Sequence, residues 1–472
     1  MIANIFFGDQ EEKRDNLIDI VNKFTEKVVS KYPKCTSEDA KKALLIAEKS
    51  FQNTKTSPLH QRINWLLDVA KTLKSQKNEI AKTITDEVGK PITYSKIEVD
   101  RAVETIELSA YAIANLHGET IDSQIMPSGK KTIGYFKRVP AGVAVCITPF
   151  NFPLNLAVHK LAPALGCGNS VILKPTPEAP LTAYKLVKIF IESPFAIKDA
   201  ISLVYGDADV GGTLVSSNIP RVVSFTGSVQ VGQIITKNAG IKKVSLELGG
   251  NAATFIDKSA DLKFASTRCA FGAFVNSGQV CISLQRIYVH SDIYDEFAKN
   301  LSTAVKTLKV GNPYEENTFM GPLINTESID RASSWVRSAL NEGAKVICGG
   351  FSDKNIFYPT ILTNVTDDMK IICEEVFAPI VSLIKVKNYD EAISKINDSP
   401  YGLQFSIFTN DLSNSQKFID DANCGGVVIN DIPTLRFDVQ PYGGIKYSGI
   451  GKEGPRFAVE EFTEIKSVFI CS

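Results

Sequence analysis

The chain has 472 residues, 44% of them hydrophobic and 22% charged, and at that length a globular protein usually folds as two or three domains. Lysine plus arginine total 52, as do aspartate plus glutamate, so no net charge favours nucleic acid or an acidic membrane surface as a partner. The longest apolar stretches, such as residues 154–167, fall short of the roughly 20 apolar residues that a bilayer-spanning helix needs.

Residues 38–115 carry apolar side chains at helical spacing among lysines and glutamates, which predicts amphipathic surface helices. The pattern changes at Gly142. A short apolar run at 143–147 predicts a strand, helical spacing resumes over 154–167, and 171–173 predicts another strand. Strand, helix and strand in close succession make a βαβ unit, the element of a parallel sheet with helices on both faces.

Similar units follow along the chain. Strands at 201–205, 221–225 and 243–248, with a helix over 229–238, predict a doubly wound, Rossmann-like domain that ends near residue 250. A second α/β region extends to about residue 445, and a helix and an apolar strand at 468–470 close the chain. The strands predicted in the second region are 286–290, 345–348, 380–386, 405–408 and 427–429.

The cysteines and histidines show no metal or disulfide pattern. Nine cysteines are scattered without a repeated short spacing, which argues against a disulfide framework. None of the four histidines stands at metal-ligand spacing from another histidine or a paired cysteine motif, so we expect no metal site. Acidic residues follow the apolar run at 5–7, which fits neither a signal peptide nor a transit peptide, and we expect a cytoplasmic protein.

Two segments carry candidate reactive side chains. Small residues precede Cys281 in the segment 276–282, which suits a thiol presented at a bend, although a lone cysteine also fits a buried structural role. Glu247 ends a predicted strand before the Gly249-Gly250 turn, where ligands of doubly wound sheets bind. It could therefore act as a general base, and a surface glutamate is the alternative.

Two further segments suit ligand binding. Asn151 lies between Pro149 and Pro153, and a backbone fixed by prolines could hold its amide as an oxyanion hole requires, although a turn asparagine is the alternative. Thr226-Gly227-Ser228 lies between a strand and a helix start, where backbone N–H groups and the helix dipole accept a pyrophosphate. This spacing differs from the GxGxxG fingerprint.

The four segments in this order resemble the aldehyde dehydrogenase superfamily over nearly the whole chain. Segments 174–178, 374–379 and 441–449, with Glu453, are similar to further motifs of that family. The resemblance implies an α/β fold with a Rossmann-like doubly wound cofactor domain, an α/β catalytic domain and a small β extension for oligomerisation. The domains expected are 1–120 with 140–249 for NAD(P), 250–446 for catalysis, and 121–139 with 455–472 for bridging subunits.

The resemblance also implies the roles of four side chains. Cys281 would attack the aldehyde, and the Asn151 amide and the Cys281 backbone N–H would hold the oxyanion. Glu247 would activate the water that hydrolyses the thioester, and Glu453 matches a position associated with proton relay. Lys174 matches either a member of that relay or a hydrogen-bond donor to a cofactor ribose.

The implied cofactor is NADP or NAD. Ser228 would lie near the pyrophosphate, Glu375 would hold the nicotinamide ribose, and Phe377 would pack beside the ring. Pro177 stands where NAD-preferring members have a carboxylate that would repel a 2′-phosphate, so NADP is favoured unless Glu178 takes that place. The full set of implied cofactor contacts is Thr148, Pro149, Phe150, Lys174, Thr176, Pro177, Glu178, Thr226, Gly227, Ser228, Leu248, Gly249, Glu375 and Phe377.

The aldehyde itself is less defined. The chain is most similar to the lactaldehyde and glyceraldehyde branch, which implies a small 2-hydroxyaldehyde substrate and a homodimer or homotetramer joined by the C-terminal strand. Alternatives are a non-phosphorylating glyceraldehyde-3-phosphate dehydrogenase, in which Arg436 could contact the phosphate, and a succinate-semialdehyde dehydrogenase. Glu247 argues against a CoA-acylating enzyme. A non-catalytic cofactor-binding scaffold is the alternative of another class.

Overall fold

The computed structural model describes residues 1–471. Its α-helices, α1 to α15 in chain order, are Ser37–Thr54, Leu59–Ser75, Lys77–Val88, Ile92–Ala114, Asn155–Gly166, Pro180–Glu192, Ala208–Ser216, Val229–Asn238, Leu262–Phe274, Tyr294–Lys306, Thr326–Asn341, Lys370–Cys373, Tyr389–Asn397, Leu412–Asp421 and Pro455–Glu461. Its strands, β1 to β24, are Ile5–Phe7, Gln10–Glu12, Leu17–Val21, Val28–Pro33, Glu119–Ile121, Thr132–Pro140, Val143–Ile147, Ser170–Lys174, Ile201–Leu203, Pro220–Thr226, Lys243–Glu247, Ala252–Ile256, Leu284–His290, Lys345–Cys348, Ser352–Asp353, Ile356–Phe357, Thr360–Thr363, Ile380–Val386, Tyr401–Gly402, Gln404–Phe408, Gly426–Ile429, Ile445–Lys446, Gly449–Ile450 and Thr463–Cys471.

The first large sheet confirms the predicted doubly wound architecture. Its order is β2-β1-β9-β8-β7-β10-β11-β23, and the central strands β9, β8, β7, β10 and β11 are parallel. Strand β7, helix α5 and strand β8 form the predicted βαβ unit. Because helices cover both faces of a parallel sheet, its central strands β7 and β8 are buried along nearly their whole length.

The second large sheet lies in the other half of the chain. Its order is β14-β17-β18-β13-β12-β20-β21, parallel except for the edge strand β14. The helices α9 and α10 pack against each other beside this sheet, around a core that includes Phe274, Phe297 and Phe408. The five strands predicted in this region are therefore all present.

A small third sheet joins the C-terminal strand to the segment 119–140. Strand β24 pairs antiparallel with β6 over nine residues, from Thr463 opposite Pro140 to Cys471 opposite Thr132, and β5 pairs with the other side of β6. The predicted apolar strand at 468–470 is therefore part of a longer one. Because β24 is the outer strand of this sheet, its second edge is open to a partner.

The first 33 residues differ from the sequence prediction, which identified no strands there. Strand β1 pairs with β9 at Phe6 opposite Leu203, and β3 and β4 form a hairpin of their own. Short strands of this kind depend on partners far along the chain, so local periodicity does not reveal them. No helix within residues 1–471 combines the length and the apolarity that crossing a bilayer requires.

Candidate active site

A cavity of about 710 Å³ opens at the carboxyl ends of β7, β10 and β11. This is the place where doubly wound sheets bind ligands. Arg101 from α4, Arg436 and Tyr442 also line it. The residues predicted from the sequence that line this one cavity are Thr148, Pro149, Phe150, Asn151, Thr176, Thr226, Gly227, Ser228, Glu247, Leu248, Gly249, Cys281, Glu375, Phe377 and Glu453.

A strained turn presents Cys281. The three residues Asn276, Ser277 and Gly278 adopt left-handed backbone angles in succession, with φ of 53°, 58° and 68°. The left-handed conformation of Asn276 and Ser277 costs free energy because L side chains disfavour it, and hydrogen bonds hold both residues there. The Asn276 amide donates to the Asn151 carbonyl at 3.2 Å, and the Ser277 hydroxyl donates to the Gly321 carbonyl at 2.9 Å.

The double glycine after Glu247 allows two close approaches. A Cβ added at Gly250 would lie 2.2 Å from the carbonyl oxygen of Cys281. One added at Gly249 would lie 2.3 Å from a carboxylate oxygen of Glu375. Only glycine therefore lets the end of β11 meet both the cysteine turn and the Glu375 side chain.

The Cys281 sulfur has a hydrogen-bond partner that the sequence analysis did not assign. The hydroxyl of Tyr442 lies 2.9 Å from Cys281 Sγ, and the guanidinium of Arg436 lies 3.7 Å from the centre of the Tyr442 ring. Burial raises the pKa of Cys281 to about 11, although the Tyr442 hydrogen bond and the charge of Arg436 act to lower it. Without substrate, the sulfur is therefore mostly protonated at neutral pH.

The Asn151 side chain is held in one orientation beside the cysteine turn. Its Nδ2 donates to the carbonyl of Gln279 at 3.0 Å, and its Oδ1 accepts from the backbone N–H of Phe152 at 3.1 Å. An amide nitrogen carries two hydrogens, and within residues 1–471 only this one acceptor contacts Nδ2. The second hydrogen is therefore available to an oxygen in the cavity.

Glu247 is a buried carboxyl group without a hydrogen bond. Neither of its oxygens has a partner within residues 1–471. Burial, and secondly the negative charge of Glu453, raise the pKa of Glu247 well above its ordinary value. The protonated form of this carboxyl group therefore persists to a higher pH than in an ordinary glutamate.

Glu453 has the opposite environment. Lys160 Nζ donates to one of its oxygens at 3.0 Å, and an Arg436 nitrogen donates to the other at 3.2 Å. Burial by itself would raise the pKa of Glu453, but the charges of Lys160, His159 and Arg436 outweigh it and hold the pKa below its ordinary value. Backbone hydrogen bonds in both directions also tie Glu453 to Tyr442.

Arg101 is a cavity residue that the sequence analysis missed. Its guanidinium donates two hydrogen bonds to Asp438, at 2.9 and 2.7 Å, and His159 Nε2 lies 3.0 Å from the same carboxylate. Arg101 is separated from Asp438 by 337 residues, so no local motif connects them. The sequence signal that could have identified Arg101 is an arginine on α4 close to the buried Val99 and Ala102.

The other end of the cavity fits a dinucleotide. Ser228 caps helix α8, where its hydroxyl accepts from the backbone N–H of Val231, and the buried hydroxyl of Thr226 has no partner within residues 1–471. A helix N-terminus with a free hydroxyl suits a phosphate. Phe150 and Phe377 meet edge to face with ring centres 5.9 Å apart, and Glu375 accepts a hydrogen bond from the Gly250 N–H at 3.0 Å.

Three predicted cofactor residues do not line this cavity. Lys174 is buried at the end of β8, and its burial lowers its pKa below the ordinary value. Pro177 follows in the next turn. The carboxylate of Glu178 accepts a hydrogen bond from Lys23 Nζ at 2.6 Å, so it is held by the N-terminal part of the chain.

The chain is similar to known aldehyde dehydrogenases over nearly its whole length. The sequence model of the aldehyde dehydrogenase family matches residues 9–468. The chain is 41% identical over 467 residues to 3-sulfolactaldehyde dehydrogenase of Priestia aryabhattai, covering 99% of this chain and 97% of that protein. It is 40% identical to lactaldehyde dehydrogenase of Methanococcus aeolicus over 98% of both chains. The crystal structure of glyceraldehyde-3-phosphate dehydrogenase GapN from Methanocaldococcus jannaschii complexed with NADP superposes with a TM-score of 0.92 at 39% identity, covering 98% of this chain and 100% of that one.

Proposed function

This chain belongs to the aldehyde dehydrogenase family and is an NAD(P)-dependent oxidoreductase, and we propose that it oxidises a short 2-hydroxyaldehyde, such as lactaldehyde or glyceraldehyde, to the carboxylate with NADP favoured. The observation that carries the proposal is a single cavity lined by Cys281, Asn151 and Glu247. These three groups supply a nucleophile, an oxyanion donor and a base, the set that thioester chemistry on an aldehyde requires.

In the first step the Cys281 thiol loses its proton to water, and the thiolate sulfur forms a bond with the aldehyde carbon. The carbonyl oxygen becomes an oxyanion, and the free hydrogen of the Asn151 amide and the Cys281 backbone N–H stabilise it. Donors fixed in advance are effective because they need no reorganisation as charge develops, and each typically contributes about 2.7 to 4 kcal/mol. The hydrogen bonds to Gln279 and Phe152 supply this fixed orientation for Asn151.

A bound nicotinamide would supply the hydride acceptor that oxidation of the Cys281 adduct to a thioester requires. We assign its positioning to the Phe150 and Phe377 pair and to the Glu375 carboxyl group, and its phosphates to Thr226 and Ser228. These residues line the same cavity as Arg101 and Arg436.

Hydrolysis of the thioester needs a base, and we assign this role to Glu247. Once ionised, its carboxylate takes a proton from water as the water oxygen attacks the thioester carbon, and the Cys281 sulfur leaves. The absence of hydrogen bonds to Glu247 within residues 1–471 leaves both of its oxygens free to hold that water. We assign Glu453 and Lys160, which are 3.0 Å apart, to transfer of the proton away from Glu247.

Cofactor selectivity rests on Glu178. A carboxylate beside the adenosine ribose would repel a 2′-phosphate, and Glu178 is the acidic side chain in segment 174–178. Its ion pair with Lys23 neutralises that charge and fixes its direction. NADP is therefore the cofactor that we favour, as in the NADP complex of the GapN relative.

A second candidate substrate class is a short aldehyde with an anionic group, such as 3-sulfolactaldehyde, a phosphorylated glyceraldehyde or succinate semialdehyde. The cations Arg101, Lys160 and Arg436 form ion pairs with the carboxylates of Asp438 and Glu453, so this cluster holds one more cation than carboxylate. An excess of positive charge favours a substrate that carries an anionic group. The sulfolactaldehyde dehydrogenase relative agrees with this class.

A panel of aldehydes assayed with both nicotinamides tests the proposal. We expect the highest kcat/KM with lactaldehyde or glyceraldehyde and NADP, measured as absorbance of the reduced cofactor. A tenfold higher kcat/KM for an anionic aldehyde, about 1.4 kcal/mol, would select the second candidate. Acyl-CoA formation on addition of CoA would contradict hydrolysis.

The compartment and the oligomeric state that we propose rest on the free cysteines and on the outer edge of β24. Nine free cysteines suit the reducing cytoplasm, where we place the protein. The outer edge of β24 and exposed apolar side chains such as Phe469 and Ile470 suit pairing with another subunit in a homodimer or homotetramer. We retain the division into cofactor residues 1–120 with 140–249, catalytic residues 250–446, and bridging segments 121–139 with 455–472.

A further inference from the structure

The pairing of Tyr442 with the candidate nucleophile is a contact that the mechanism above does not use. The Tyr442 hydroxyl lies 2.9 Å from Cys281 Sγ, and the tyrosine is only 3% exposed. Its position is fixed from two sides. The Arg436 guanidinium covers its ring at 3.7 Å, and its backbone N–H and carbonyl both bond to Glu453.

We propose that Tyr442 is a catalytic residue whose hydroxyl donates a hydrogen bond to the Cys281 sulfur and stabilises the thiolate that attacks the aldehyde. This inference rests on the proposed role of Cys281 as nucleophile. Hydrogen bonds to an ionised acceptor are stronger than those between neutral groups, so the contact favours the thiolate over the thiol.

The direction of the hydrogen bond follows from the surrounding charges. Burial, and secondly the negative charge of the Cys281 sulfur, raise the pKa of Tyr442 well above its ordinary value, which favours a phenol that keeps its proton and donates a hydrogen bond to the sulfur. The Arg436 cation on the ring face draws electron density from the ring and strengthens the hydroxyl as a donor. The charged groups that face Cys281 are Arg436, Glu375 and Glu247, and of these only Arg436 favours the thiolate.

Tyr442 stabilises the negative sulfur at two points of one catalytic cycle. The thiol proton passes to water, and the sulfur electron pair then forms the bond to the aldehyde carbon while the carbonyl pair moves onto oxygen. During hydrolysis the C–S bond breaks and the electron pair returns to sulfur. The Tyr442 hydroxyl stabilises the negative sulfur both before attack and after departure, and it retains its own proton throughout.

Substitution by phenylalanine separates the hydroxyl from the ring. Tyr442→Phe keeps the ring under Arg436 and removes only the donor to sulfur. Tyr389→Phe is the matched control, because the Tyr389 hydroxyl donates to Asp421 at 2.9 Å and belongs to a different core cluster. Cofactor binding and thermal unfolding, followed by fluorescence, check that each variant is folded.

The decisive measurement is the rate of Cys281 alkylation by iodoacetamide as a function of pH, with the modified cysteine located by peptide mass spectrometry. We expect Tyr442→Phe to raise the midpoint by about one pH unit or more, which slows alkylation roughly tenfold below that midpoint. Tyr389→Phe should match the wild type. An unchanged profile in Tyr442→Phe would overturn the proposal.

A second variant strengthens the donor instead of removing it. Placing 3-fluorotyrosine at position 442 alone makes the phenol more acidic with almost no change in size, so we expect the alkylation midpoint to fall. A midpoint that stays or rises contradicts the proposal even if Tyr442→Phe does not fold. Full turnover by Cys281→Ala would overturn the proposed function itself, whereas an inactive Cys281→Ala with unchanged alkylation in both position-442 variants would overturn only this inference.

Discussion

Glu247 and Glu453 are buried in the same cavity wall, yet Glu453 receives hydrogen bonds from Lys160 and Arg436 while Glu247 receives none within residues 1–471. The negative charge of Glu453 raises the pKa of Glu247, after burial itself. Glu453 is therefore ionised at neutral pH, whereas Glu247 keeps its proton to a higher pH than an ordinary glutamate. A base must lose its proton before it can act, so this pair sets the pH dependence of hydrolysis in our proposal.

Glu247→Gln should separate hydride transfer from hydrolysis. Glutamine keeps the size of the side chain but cannot accept a proton, so we expect deacylation to fall by roughly 10²- to 10⁴-fold. Stopped-flow absorbance should show a burst of reduced cofactor close to one equivalent per active site, followed by a stall. Full steady-state turnover in this variant would remove Glu247 from the mechanism.

Glu453→Gln should shift the pH profile of deacylation to lower pH. Removing the negative charge lowers the pKa of Glu247, so the base form appears at a less alkaline pH. Single-turnover rates of thioester hydrolysis between pH 6 and 10 give this midpoint. A shift toward higher pH would mean that Glu453 does not act on Glu247 through its charge.

The same pKa shift predicts how stability depends on pH. Because the pKa of Glu247 is raised on folding, the folded state holds this proton more tightly than the unfolded state. This contribution to stability is complete below the unfolded-state pKa and is lost as pH rises through the folded-state pKa. Glu247→Gln should therefore gain free energy of unfolding relative to the wild type as pH increases, measured by urea denaturation across that range. A constant difference would contradict the raised pKa.

Lys23→Met should reduce the preference for NADP. The substitution frees the Glu178 carboxylate from its 2.6 Å ion pair, and its charge then opposes a 2′-phosphate. We expect the ratio of kcat/KM for NADP to that for NAD to fall roughly tenfold, about 1.4 kcal/mol. Adding Glu178→Gln to this variant should restore the ratio, and Lys27→Met, on an exposed lysine of the same turn, should leave it unchanged. An unaltered ratio in Lys23→Met counts against a role for the pair.

Arg101→Met should distinguish the two substrate classes. Arg101 lines the cavity and belongs to the cluster that holds one more cation than carboxylate. We expect kcat/KM for 3-sulfolactaldehyde to fall roughly tenfold or more while that for lactaldehyde changes little, because only the former carries an anion. Arg337→Met, on the exposed face of α11, is the control. Equal losses for both aldehydes would show that Arg101 supports the fold of the cavity rather than its selectivity.

Much of the fold could be predicted because its signals are local. The apolar run of β7 and the helical spacing of α5 lie within a few residues of each other, and the predicted helix at 229–238 matches α8 at both ends. Strand β1 was missed because a three-residue strand is defined by its pairing with β9, nearly 200 residues later. Long-range pairing of this kind produces no local periodicity from which the strand could be predicted.

The site, like the fold, has one part that could be predicted from the sequence and another that depends on long-range contacts. Cys281, Glu247 and Asn151 stand in recognisable segments, and all three line one cavity. Tyr442 stood in a segment noted for its resemblance, but its contact with Cys281 spans 161 residues and depends on packing. The raised pKa of Glu247 likewise depends on its burial and on the charge of Glu453. Sequence could identify these residue types but not the charges that surround them.

The central claim is that the aldehyde becomes a thioester on Cys281. Intact-protein and peptide mass spectrometry of Glu247→Gln, mixed with lactaldehyde and NADP and quenched in acid, measures this directly. We predict one acyl group per chain, located on the peptide that contains Cys281 and absent from the double variant with Cys281→Ala. An adduct on another cysteine, or no adduct while cofactor is still reduced, would contradict the account.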